Sequence, residues 1–277
     1  MPALTVARTL VILTAGAVAG GLGAVLGIGG GVLLVPFLNL VLGLPLRSAA
    51  AISLATVIAT SSSVTSRQSS AGLINLRLGM VLEVATVAGS VTGGLTAHLF
   101  RESTLQVLFG IVSIVIAGVT LGRLRQRNVI RDPTAEPGPL GGAFYDEDSR
   151  ADVVYRVKRL PLGLLASFVA GNVSSLIGVG GGIIKVPVLN TWCGVPVRAA
   201  AATSALMIGV TATSGAIIYY GRGDLSPLTA APAVLGVQLG SWAGLHFGAR
   251  ASANALKVLM AVVLIGVAVV MFIGSVQ

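Results

Sequence analysis

The chain has 277 residues, of which 55% are hydrophobic and 10% charged, with 18 Lys and Arg against 9 Asp and Glu. A mean hydropathy of +0.94 excludes an ordinary soluble domain and describes an integral membrane protein. The net charge of +9 does not describe a nucleic-acid binder, because the basic residues are spread one per helix end without an aromatic-interleaved patch.

The first apolar run, about residues 5–26, has the length of a bilayer crossing. Arg8 ahead of it and small residues behind it are also features of a secretory leader, but the glycine motif directly after it makes it part of a repeat. Gly27-Ile28-Gly29-Gly30-Gly31, then Val35-Pro36, Leu38-Asn39, Gly43, Pro45 and Arg47, return 151 positions later as Gly178-Val179-Gly180-Gly181-Gly182, Val186-Pro187, Leu189-Asn190, Gly194, Pro196 and Arg198. From Gly27 to Ser53, 15 of 27 positions match without a gap, and Gly89-Ser90 with Gly240-Ser241 and Ile114 with Ile265 continue at the same offset. The chain reads as a duplicated unit whose functional centre lies where the copies meet.

Val32 to Leu42 is only 11 residues, about half a bilayer as helix, between the glycines and the Gly43-Leu44-Pro45 turn. This predicts a broken or re-entrant helix, tolerated at membrane depth only where it is surrounded by protein or lines a cavity. The broken stretch runs on to residue 66, and runs at 78–99 and 104–122 complete the first half. Residues 123–160 are the only long polar stretch and carry eight basic and six acidic residues, which predicts a linker placed in the cytoplasm by its positive charge. Runs at 161–178, 183–220, 228–249 and 254–274 form the second half, and no strict two-residue alternation suggests a barrel.

The expected fold is therefore an all-α membrane protein of about eight transmembrane helices, with one four-helix repeat in 1–122 and the other in 161–277. Four spans per half place both termini on the linker side and the copies parallel, related by an axis along the membrane normal. A different span count in the broken segments would invert that relation.

Candidate binding residues come from the same repeat. Gly29, Gly30 and Gly31, with Gly180, Gly181 and Gly182, offer either backbone N–H groups to an anion or close packing between helices. Arg47 and Arg198 each open an Ala-rich helix, where a bound anion would relieve an unfavourable contact between cation and helix dipole; the plainer role is interfacial anchoring. Ser53, Thr56, Thr60 and Ser63, with Ser204, Thr211 and Ser214 in the copy, form hydroxyl stripes that either line an oxyanion path or bond within the bundle. Lys185 stands where the first copy has Leu34, and a lysine within an apolar run is a functional candidate. Asn39 and Asn190 cap the broken helices or donate to substrate. Glu83, with Val234 as its counterpart, is a candidate for a coupling proton, although a partnership with Arg77 is the favoured reading. The lone Cys193 and the non-equivalent His98 and His246 supply neither disulfide nor metal cluster, and no cofactor is expected.

The pattern Gly-x-Gly-Gly-Gly-x3-Val-Pro, followed by Gly-x-Pro-x-Arg-x-Ala-Ala-Ala and then Ser or Thr positions, resembles the TauE/SafE family of sulfite exporters over both halves. The resemblance implies a secondary carrier of small anions containing sulfur or carboxylate, such as sulfite, thiosulfate or sulfoacetate, in the cytoplasmic membrane. Its partners would be the bilayer and a small anionic substrate, with no nucleic acid. A passive anion channel would use the same residues, and an intramembrane enzyme would need a nucleophile and base that the chain does not group together.

Overall fold

Helix is the form an apolar chain takes in a bilayer, because it satisfies each backbone N–H and C=O within its own segment. The computed structural model describes residues 6–26, 30–69, 72–122, 136–146, 151–247 and 253–276. The first half holds α1 (Val6–Leu26), the short α2 (Gly31–Pro36) continued by a π-helical turn at Phe37–Val41, α3 (Leu46–Ser69), α4 (Leu76–Thr96) with a final 3-10 turn at Ala97–Leu99, and α5 (Glu102–Gly122). The second half holds α6 (Leu160–Ile177), α7 (Gly182–Thr191), α8 (Val197–Gly221), α9 (Pro227–Phe247) and α10 (Ala253–Val276). Among the described residues six helices, α1, α3, α4, α5, α6 and α8, are long and apolar enough to cross a membrane. The expected broken segments are α2 and α7. Each begins at the last glycine of its cluster and contains a proline, Pro36 or Pro187, which removes one helical hydrogen bond.

Glycine governs how the long helices meet. A Cβ on Gly16 would strike Ala233 and one on Gly20 would strike Val237, so α1 and α9 lie backbone to backbone, running in the same direction. Gly89 against Phe168 and Gly93 against Asn172 do the same for α4 and α6. At the centre α3 and α8 run antiparallel, with Ser61 beside Ala205 and Leu54 beside Gly215.

The contacts also fix what lies at each end of the bundle. Arg8 Nη2 donates to the Leu42 carbonyl at 3.1 Å, so the chain after α2 has returned to the starting end of α1. At that end Glu102 accepts from the Leu46 N–H, Arg47 donates to the Phe100 carbonyl, and His98 pairs with Asp224. The last turns of α10 are there too, with Phe272 against Gly110 near the start of α5. At the opposite end Asn75 donates from its side chain to the Leu140 carbonyl and to Tyr155 Oη, and the Lys158 N–H donates to the Cys193 carbonyl.

Two expectations are corrected by this arrangement. The linker lies at the end away from the α1 start and the α10 finish, and α3 and α8, counterparts at the 151-residue offset, are antiparallel rather than parallel. The reason is the glycine-led segments: α2 carries the chain back to the start of α1, and α7 carries it back to the start of α6. The linker is also more than a solvated spacer, since β1 (Gly142–Asp146) pairs antiparallel with β2 (Ala151–Tyr155), with Phe144 opposite Val153. Phe144, Val153 and Tyr155 are buried in one cluster with Leu78, Leu82, Leu189, Cys193 and Met207, so the hairpin is seated on the ends of α4, α7 and α8.

Candidate functional site

Polar side chains buried in an apolar bundle are costly unless partnered, so the unpartnered ones mark the place to look. Lys185 is the sharpest case: it is 1% exposed and its Nζ has no hydrogen-bond partner. It stands one turn into α7, where its N–H donates to the Gly181 carbonyl. Across from it, Glu83 of α4 has its Oε1 2.8 Å from Thr211 Oγ1 of α8, while its Oε2 is buried and unpartnered. The two charges act on one another, yet no ion pair closes between them. An isolated buried ammonium or carboxylate costs several kcal/mol, a penalty that points to function rather than to stability.

Ser204 Oγ on α8 is likewise buried without a partner, 3.2 Å from where a Cβ on Gly182 would stand. Ser167 Oγ on α6 is another such group, as are Ser174 and Ser175 farther along α6 and Ser113 on α5. Together α4, α6, α7 and α8 thus carry an ammonium, a carboxylate and hydroxyls into the interior of the half nearest the hairpin.

The structure sorts the remaining candidates. Gly29 lies outside the described residues. Gly30 backs onto Ala19 and Gly20, and Gly31 adjoins Ser53 Oγ and the Gly178 carbonyl, so the first cluster touches the beginning of the second. Gly180 has φ of +77°, a conformation that favours glycine, and Gly181 packs on Ala170. Gly30, Gly31, Gly181 and Gly182 thus allow close approach that a Cβ would obstruct.

Asn39 Nδ2 donates to the Leu44 carbonyl at 2.8 Å and Asn190 Nδ2 to the Val195 carbonyl at 3.0 Å, so both staple the loop behind a broken helix. Thr60 back-bonds to Thr56 and Val57 within α3, and Ser53 donates to the Gly178 carbonyl.

Arg47 and Arg198 do not converge. Arg47 Nη2 donates to the carbonyls of Phe100 at 2.6 Å and His98 at 3.4 Å, tying α3 to the end of α4. Arg198 is exposed on the first turn of α8 at the hairpin end. Because α3 and α8 are antiparallel, these two helix starts stand at opposite ends of the bundle. Nor does Arg77 pair with Glu83: it is exposed on the first turn of α4, and six residues correspond to about 240° of further rotation around the helix.

The meeting of Glu83 with Lys185 escaped the sequence reading. Its signal was present: both are ionisable positions within apolar runs, and both are aliphatic in the other copy, as Leu34 and Val234. An open groove of about 720 Å³ between α1, α2 and α10, lined by Val11, Val18, Leu33, Phe37 and Val263, carries no charge and suits lipid chains.

The comparisons agree with this membrane architecture. The family model described as "Sulfite exporter TauE/SafE" matches residues 12–271. The probable membrane transporter protein YunE of Bacillus subtilis is 26% identical over 263 residues, covering 92% of this chain and 94% of its own. The probable membrane transporter protein MJ0441 of Methanocaldococcus jannaschii is 27% identical over 214 residues, 75% of this chain and 71% of its own. No solved structure matches. With nearly the whole chain matched and buried charged side chains inside an apolar helical bundle, this protein belongs to the sulfite exporter TauE/SafE family of membrane transporters.

Proposed function

We propose that this chain is a secondary transporter of a small anion, of the sulfite, thiosulfate or organosulfonate type, with Lys185 as the countercharge. The observation that supports it is the buried, unpartnered Lys185 Nζ with unpartnered hydroxyls nearby. An anion there would receive charge-assisted hydrogen bonds worth about 1.5–3 kcal/mol each. The antiparallel α3 and α8, and the exchanged packing of α1 on α9 and α4 on α6, support two inverted repeats of four long helices and one broken helix. Such a pair can open to either side in turn around a fixed site.

The positive-inside rule supports the cytoplasmic membrane with the hairpin end inside. Arg67, Arg77, Arg156, Lys158, Arg159 and Arg198 gather at that end, against Arg8, Arg47, Arg101 and Arg222 at the other.

The test is uptake into proteoliposomes from a panel of sulfite, thiosulfate, sulfoacetate, sulfate and oxalate. Saturable exchange that is lost in Lys185→Gln supports the reading. Unsaturated conductance would favour a channel, and no flux of any anion would end the proposal.

A further inference from the structure

Lys185 and Glu83 set one fixed cation beside one acid in the interior of the bundle, and an anion bound there meets both. An anion can neutralise Lys185, but an ionised Glu83 beside it would repel the same anion. A pocket that binds anions must remove that negative charge.

The hydrogen bonds at Glu83 show how. Thr211 Oγ1 lies 2.8 Å from Glu83 Oε1 and 2.9 Å from the Met207 carbonyl. A hydroxyl has one proton and can donate it fully to only one of these acceptors. A helical threonine ordinarily donates to the carbonyl four residues back, here Met207. Here the Glu83 carboxylate competes for that proton: Thr211 Oγ1 donates to Oε1, while no donor reaches the buried Oε2. Oε2 is the oxygen left to take a proton, and the unpartnered Lys185 Nζ is left for the anion.

We propose, on the transporter reading above, that the pocket loads an anion and a proton together: the anion on Lys185 and the proton on Glu83. Empty, the pocket contains an ammonium and a carboxylate and has no net charge. Loaded, it contains an ammonium, the anion and a neutral acid, and again has none. The proton comes from water on the loading side, converts the Glu83 carboxylate to the acid, and returns to water when the anion leaves on the other side. One proton moves with each monovalent anion in the same direction, so that cycle carries no net charge across the membrane.

The neighbourhood holds no competing acid or base. Among the described residues α6 has no titratable group, and α7 has Lys185 alone. On α8 they are Arg198 at the hairpin end and Tyr219 and Tyr220 at the other, and α3 has Arg47 and Arg67 at its ends. Arg77 of α4 is exposed, and Tyr155 and Cys193 stand under the hairpin. The asymmetry is equally informative: among the described residues, Leu34 and Val234 leave the place equivalent by sequence offset uncharged.

The test uses purified protein in vesicles containing a pH-sensitive dye. The probe is sulfoacetate, whose sulfonate stays ionised; thiosulfate serves if the panel selects it instead. With the carboxylate of sulfoacetate also ionised, one charge per anion remains uncompensated, and with thiosulfate likewise. The ratio of protons to anions is therefore read directly, and ethanesulfonate is the monovalent reference. The wild type is expected to move one proton with each anion, and its ethanesulfonate flux should not respond to an imposed potassium-diffusion potential. Apparent affinity should weaken about tenfold per pH unit on the alkaline side of the Glu83 titration. Glu83→Gln, which keeps a neutral donor, should lose the proton movement and the pH dependence, and its flux should follow the potential. Wild-type flux without proton movement, or proton coupling that survives in Glu83→Gln, overturns the inference while leaving an anion transporter. Absence of saturable flux for every anion in the panel overturns both.

Discussion

Ser53 of α3 donates its hydroxyl to the carbonyl of Gly178, 125 positions away, at 2.5 Å and in full burial. This bond joins the first half to the loop that opens α7, where a Cβ added to Gly31 would also collide. Ser53→Ala should therefore leave a buried carbonyl unpaired and lower stability by about 1–3 kcal/mol. Gly31→Ala should be worse, since both Ser53 Oγ and the Gly178 carbonyl must move. Thermal unfolding in detergent measures both, and a wild-type melting temperature in Gly31→Ala would refute the contact.

The buried pair predicts a conflict between stability and transport. Lys185→Leu alone leaves Glu83 without its countercharge and should destabilise. Lys185→Leu with Glu83→Val restores the residues of the other half and should match or exceed the wild type by about 1–4 kcal/mol, without transport. A double variant less stable than Lys185→Leu would show that these charges hold the fold together.

Arg47→Gln should be felt in folding more than in affinity. It loses the 2.6 Å charge-assisted bond to the Phe100 carbonyl, and its position at the bundle end is remote from Lys185. We expect a loss of about 1.5–3 kcal/mol in stability, lessened by partial exposure, and anion affinity within about twofold of wild type. A tenfold loss of affinity in well-folded protein would return Arg47 to the binding site.

Much of this was legible in the sequence because it depends on local pattern. The glycine clusters, the prolines at Pro36 and Pro187 and the brevity of 32–42 located α2 and α7 almost to the residue. Orientation was not legible, since a short helix between two glycine-rich turns leaves open whether the chain crosses or turns back, and one extra pass reverses every later helix. The arginines misled for a related reason: they open α3 and α8, which run antiparallel, so the two helix starts stand at opposite ends. The hairpin had a weak signal in the alternation around Phe144 and in Val153 and Tyr155, masked by the charges between them.

Topology offers a direct check. Tyr145, 58% exposed on β1, should be protected as Tyr145→Cys from an impermeant thiol reagent in intact cells, whereas a C-terminal tag should be reachable from outside. Labelling of Tyr145→Cys together with a hidden tag would invert the molecule. A tag and a hairpin on the same side would contradict the antiparallel relation of α3 and α8.

Asn75 performs three tasks at once. Its Oδ1 accepts from the Leu78 N–H to cap α4, and its Nδ2 donates to the Leu140 carbonyl and to Tyr155 Oη. The phenol of Tyr155 is itself pushed up by burial, an effect the Asn75 bond opposes. Asn75→Ala should cost about 0.5–2 kcal/mol from the cap alone and loosen the hairpin, seen as faster proteolysis between residues 136 and 159. An unchanged cleavage rate would mean that apolar seating suffices without it.

The two ends of the bundle are fastened by unlike materials. At one, His98 Nε2 and Asp224 Oδ2 meet at 3.1 Å with both side chains about a quarter exposed. At the other, Phe144, Val153 and Tyr155 are held by burial. When His98 is protonated the first contact is an ion pair that dissolved ions screen, while the second is left almost untouched. At a pH that protonates His98, vesicles with randomly oriented protein would therefore contain two kinetic populations under a one-sided salt jump. Their ratio would report the orientation of the preparation without any label.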